Sequence, residues 1–252
     1  MESISDQLGL SNKTLRSIIH TLPLLAPNIP VYSHLMIIMD CVYFGRGCCY
    51  LVVRDWYTRR NIYVKHLPKG YETIQDYLDA IEYIKSQENI IEGIVVDGRR
   101  GVLLALNERG YIVQMCQFHM KQIMKRYLTK NPQTQAGIDL KSISDDLIYL
   151  TPQSLTQRLS EWYVLYESFI KEKTYQQDGK HWNYTHRRVW SAYHSLLRNL
   201  PHLFTFQSQR DMPNTTNSAD GYFSHLKDKV RIHRGLRRDR KHRLIMYLIV
   251  RS

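Results

Sequence analysis

Apolar positions along the chain change period several times, and each change marks an element. Ile4, Leu8, Leu10, Leu15 and Ile18-Ile19 follow helical spacing, broken at Gly9, with Ser11 placed to cap the second piece. This pattern predicts the last two helices of a helix-turn-helix over residues 1–22. Its second helix would turn Asn12, Lys13 and Arg16 toward a DNA major groove, although an ordinary helical hairpin fits the same pattern. A complete unit needs a helix ahead of these two, so the natural protein or its ancestor is expected to extend further. Pro23, Pro27 and Pro30 mark residues 23–32 as a linker.

From residue 33 the period shortens. "HLMIIMD" is an apolar run ending in an acid, and "CCYLVVRDW" and "NIYVKHLP" follow as strands. Gly45 and Gly47 fall in the first turn and "TRR" in the second. "YETIQDYLDAIEYIKSQ" returns to helical spacing through Ile74, Tyr77-Leu78, Ile81 and Ile84. "EGIVVD" is a strand that again ends in an acid. "GVLLALNERG" is a helix stopped by Gly110, "YIVQMC" a strand and "HMKQIMKRYLT" a helix. Three antiparallel strands followed by parallel βα units give an α/β fold, a mixed five-stranded sheet flanked by helices, whose first part spans residues 33–130. Residues 131–212 read as an all-helical insertion rich in Tyr and Trp. Residues 213–252 supply a last helix, which rejoins the core, and a basic C-terminus.

Charge adds a partner. The formal net charge is +12, and ten Lys/Arg against two Asp lie from His225 onward. With Arg59-Arg60, Arg99-Arg100 and Arg187-Arg188 elsewhere, this favours a polyanion, of which nucleic acid is the commonest. Four cysteines without regular spacing do not make a disulfide scaffold, no signal peptide is visible, and no apolar run is long enough to cross a bilayer. A soluble protein of a reducing cytoplasm, without a membrane partner, is expected.

Asp40 and Asp97 close two strands. Were those strands parallel neighbours, both carboxylates would emerge at one edge, and crowded carboxylates repel unless a cation lies between them. Hard divalent cations take such oxygen ligands, and a third carboxylate, Asp220, heads the last helix. Three acids would suit two Mg²⁺ or Mn²⁺ ions acting on a phosphodiester. The blander reading makes Asp97 before Gly98 a turn former and Asp220 a helix-dipole partner. Around Asp220, Phe223, Leu226 and Val230 are spaced to pack on the sheet. Lys227, Lys229, Arg231, His233 and Arg234 would face phosphates, as would Arg99 and Arg100, while Thr216 or Asn217 would cap the helix. Cys116 and His119 form half a zinc motif without a second pair, which favours packing and hydrogen bonding at a strand-to-helix junction in support of the acids. Trp162, Trp182 and Trp190 would either fill the core of the insertion or stack on bases.

"MDCVYF", "GIVVDGRRG", "CQFHMKQI" and "MPNTTNSADGYFSHLKDKVRIHRGL", in that order, together resemble bacterial insertion-sequence transposases of the Mutator-like branch. "YTHRRVWSAYHSLLRNLPHLFTF" resembles the end of that branch's helical insertion, and the likeness spans about residues 33 to 243. The resemblance implies an RNase H-like core with a DDE-type triad at Asp40, Asp97 and Asp220, and Cys116 with His119 as the branch's signature pair. The family has Glu where this chain has Asp220, so either the subgroup uses Asp or the copy is impaired. The resemblance further implies cleavage at terminal inverted repeats and strand transfer to target double-stranded DNA, with no covalent protein intermediate. A homodimer in the synaptic complex and a nucleoid-associated bacterial location are expected with it. The alternative is a truncated or inactive transposase-derived DNA-binding protein; a stand-alone junction resolvase is disfavoured by the long insertion.

Overall fold

The computed structural model describes residues 9–45, 47–232 and 235–251, the side chains of Asn12, Arg100, Asn217, Ser218 and Asp220 excepted. The first helix expected of the helix-turn-helix, up to Leu8, lies outside the described residues, as do His233 and Arg234. Two compact units make up the chain, residues 1–92 with 217–252 and residues 93–216.

In the first unit α1 (Asn12–Thr21) is capped as expected: Ser11 Oγ accepts the Thr14 N–H at 3.0 Å. It packs on α9 (Arg238–Val250), where Arg243 donates to the Leu22 carbonyl at 3.1 Å. The meander β1 (His34–Tyr43), β2 (Cys49–Asp55) and β3 (Asn61–Leu67) is antiparallel throughout. β1 and β2 are almost continuously buried because helices cover both faces, so neither face has to be polar. α2 (Ile74–Lys85) covers one face, opened by a Thr73–Asp76 capping box. α8 (Asn217–Ile232) and α9 cover the other, and Asn61 ties β3 to α9 by donating to the Ile249 carbonyl at 2.8 Å. β1 runs three residues beyond Asp40, because its pairing with β2 continues to Tyr43 opposite Cys49. β4 (Ile90–Val96) starts beside β1, with the Ile90 N–H on the Ser33 carbonyl at 2.9 Å.

The sheet order is β3-β2-β1-β4-β5, with β5 (Val113–Met115) parallel to β4. Meander strands followed by parallel βα units form the mixed five-stranded α/β sheet expected from the sequence. In the second unit α3 (Arg100–Glu108) ends before Gly110, whose φ of +78° supplies the left-handed residue that stops it. α4 (Gln117–Leu128), α5 (Gln135–Asp145), α6 (Pro152–Lys171) and α7 (Arg187–Leu203) pack on one another, with Trp162 of α6 set against α5 and α7. That indole is 4% exposed, donates to the Ala136 carbonyl at 2.9 Å and stacks on Tyr193.

The expectation of an all-helical insertion needs one correction. A hairpin of β6 (Lys173–Tyr175) and β7 (Trp182–Tyr184) stands between α6 and α7. Only Tyr184 of its six strand residues is even half-buried, so no apolar alternation announces it. Among the described residues, no helix is long and apolar enough to cross a membrane.

Candidate active site

Alternation along β1 sends Asp40 and Cys41 to opposite faces of the sheet. The face of Asp40 can be read from its register partners. Ile38 opposes Arg54, whose guanidinium lies 4.9 Å from the Tyr222 ring centroid of α8. Val42 opposes Tyr50, whose hydroxyl bonds His242 Nδ1 of α9 at 2.7 Å. Asp40, between them opposite Val52, therefore faces α8 and α9. It is 7% exposed, and its Oδ1 accepts the Cys41 N–H at 2.7 Å.

Asp220 lies in the first turns of α8, its side chain outside the described residues. Phe223, Leu226 and Val230 on that helix are buried at the expected spacing. Lys227, Lys229 and Arg231 are exposed, with Arg231 3.3 Å from Asp228. Lys227 and Arg231 line a cavity of about 390 Å³ together with Tyr43, Phe44 and Lys241. Lys241 Nζ donates to the Phe44 carbonyl at 2.6 Å. An adjoining cavity of about 330 Å³ brings Arg238 and Lys241 to His66 and His242. Burial holds both imidazoles below the ordinary histidine value, His66 and Arg243 adding to the effect on His242. These two cavities join cations of α8 to cations of α9. Sequence reasoning missed Arg238 and Lys241; their i, i+3 spacing was the available signal. Lys13 and Arg16 are exposed on α1.

In the second unit Asp97 follows β4 directly, and its Oδ1 accepts the Arg99 N–H at 3.2 Å, the bond of an Asx turn. Arg99 itself is half-buried; Arg100 begins α3, its side chain undescribed. A Cβ at Gly98 would have to push aside the flexible ends of the Met115 and Ile123 side chains. Cys116 and His119 meet around Thr216. The buried Cys116 sulfur accepts from Thr216 N at 3.2 Å and Thr216 Oγ1 at 3.3 Å, and that hydroxyl lies 3.4 Å from His119 Nδ1. Gln117 N donates to the Asn214 carbonyl at 3.0 Å. The pair thus fixes the Asn214–Thr216 stretch on the head of α4. Trp190 is half-buried and stacked between Tyr184 and His194, whereas Trp182 is 40% exposed with Lys173 Nζ 3.9 Å from its ring centroid.

No family model and no curated protein matches the chain. Among solved structures it is similar to one described as the Drosophila P element transposase strand transfer complex. Identity is 11% and the TM-score 0.38, with 96% of this chain and 85% of that chain covered.

Proposed function

We propose that this chain is a DDE/DDD-type transposase of the Mutator-like insertion-sequence branch, cleaving DNA and joining the freed 3′ end to a target. The observation that carries the reading is the Asp40 carboxylate, 7% exposed on the sheet face covered by α8, the helix that bears Asp220. Asp97 directly follows β4, the neighbour of β1 in the sheet order. A carboxylate this buried is costly to keep charged without compensation, and a purely oxygen donor set suits Mg²⁺ or Mn²⁺. Asp40, Asp97 and Asp220 would hold two such ions, which when bound supply an activated water or hydroxyl and stabilise the leaving oxygen.

The chain's own side chains do the rest. Lys227, Arg231, Arg238 and Lys241 bind the phosphate backbone of double-stranded DNA, a sequence-independent hold that keeps the scissile strand in register. Cys116, His119 and Thr216 act as positioning residues for the segment that leads into α8. Bringing two element ends together calls for a homodimer.

The test is Mg²⁺-dependent strand transfer with pre-cut element ends, comparing the chain with its Asp97→Ala variant. Joined product from the first and none from the second supports the reading. Equally low joining from both removes the enzyme and leaves a DNA-binding protein. Cleavage without joining makes it a nuclease.

A further inference from the structure

On the face of the sheet opposite Asp40, three ligand-type side chains converge. Cys41 opposes Leu51 and Tyr43 opposes Cys49, so Cys41 and Cys49 are diagonal neighbours on one face of the β1–β2 ladder. Their sulfurs and a Glu72 carboxylate oxygen all lie within 4.8 Å of one another. Cys49 is fully buried, Glu72 is 8% exposed and Cys41 is half-buried. The Tyr43 hydroxyl donates to Glu72, and the Tyr77 hydroxyl lies 3.8 Å from the Cys41 sulfur. Tyr43 is 43% exposed, which leaves a path from solvent.

We propose that Cys41, Cys49 and Glu72 bind a borderline-soft divalent cation of the Zn²⁺ class, with water beside Tyr43 as the fourth ligand. Three acidic groups crowded out of water repel one another once ionised, and a divalent cation removes that cost. Two sulfur donors select against Mg²⁺ and toward Zn²⁺. Tetrahedral bonds of about 2.3 Å to sulfur and 2.0–2.2 Å to oxygen bring ligand atoms closer together than 4.8 Å, so a small side-chain adjustment suffices. Tyr43 and Tyr77 supply the outer hydrogen bonds that orient such ligands. The ion would clamp β1, β2 and the segment before α2 together, a structural role separate from that of the Asp40 carboxylate on the opposite face.

The experiment is a Co²⁺ titration of the purified full chain under reductant, read by thiolate-to-cobalt charge-transfer absorption, followed by displacement with Zn²⁺. The thiolate band is expected to saturate at about one Co²⁺ per chain, with a raised melting midpoint. The band is expected to vanish in a Cys41→Ser/Cys49→Ser variant whose fold is verified by circular dichroism. It should persist in Cys48→Ser/Cys116→Ser and in Asp40→Ala. Glu72→Gln, which keeps both thiols, should weaken binding by at least about tenfold, the loss seen when even an outer partner is removed. No band in the unaltered chain overturns the proposal. So does a band that survives Cys41→Ser/Cys49→Ser, or a Cys41–Cys49 disulfide that forms in place of cobalt binding.

Discussion

Thr216 gives both its backbone N–H and its hydroxyl to the sulfur of Cys116, 100 residues earlier, at 3.2 and 3.3 Å. Both residues are buried. Cys116→Val would remove the shared acceptor of these two buried bonds, at a cost of about 1–3 kcal/mol. Urea unfolding monitored by circular dichroism should show that loss. A cost under about 0.5 kcal/mol would mean the thiol is only a space-filler.

The tryptophans of the insertion should separate cleanly. Trp162→Ala removes a packed indole and its hydrogen bond to the Ala136 carbonyl, so a loss of about 3–5 kcal/mol is expected in equilibrium unfolding. Trp182→Ala, on the exposed hairpin, should change stability by no more than about 0.5 kcal/mol. If Trp182 stacks on bases, that variant weakens single-strand binding by about 1–3 kcal/mol, measurable by fluorescence anisotropy.

Replacing Asp40, Asp97 or Asp220 singly with Ala should slow cleavage on the order of 10²–10³-fold, the effect of deleting one preorganised electrostatic group. Gel-shift affinity for DNA should stay within a few-fold. Parallel loss of binding and cleavage would give these acids a structural role.

Lys227 lines the larger cavity and is exposed. Lys227→Ala should weaken DNA binding evenly across sequences and reduce the slope of log K against log salt by about one. An unchanged slope would place the backbone contact elsewhere.

His66 and His242 are half-buried beside Tyr50, and both titrate below the ordinary 6.5. Their folded-state pKa values are depressed, so as pH falls from 6.5 toward them the unfolded chain takes up protons that the native chain does not. Stability is therefore full above 6.5 and declines below it. His66→Phe keeps a ring against Tyr50 and removes one titration. Its urea midpoint should fall less than that of the unaltered chain between pH 7 and about pH 5. Identical declines would sink this assignment.

The sheet was legible because apolar runs broken by Gly and acidic residues are strong local signals, and the spacing of Phe223, Leu226 and Val230 gave the buried side of α8 in advance. The β6–β7 hairpin was not, since its exposed strands carry no apolar period; only Asp178-Gly179 hinted at a turn. The partner of Cys116 and His119, Thr216, was hidden because it lies beyond the whole insertion in sequence. The cluster of Cys41, Cys49 and Glu72 depends on cross-strand register, which turn geometry sets and spacing alone does not. Asp97 was read both as a turn former and as a ligand, and the Arg99 bond gives it the first of these roles without removing its carboxylate from the second.

Because Asp40 and Cys41 sit back to back in one strand, a hard oxygen donor and a soft sulfur donor are separated only by the thickness of the backbone. Deleting a single residue between His34 and Met39 and letting the strand slide to compensate would exchange the two, delivering sulfur to the helix-covered acidic face and oxygen to the thiol face. The strand should therefore tolerate changes of apolar side chain far better than any change in its length.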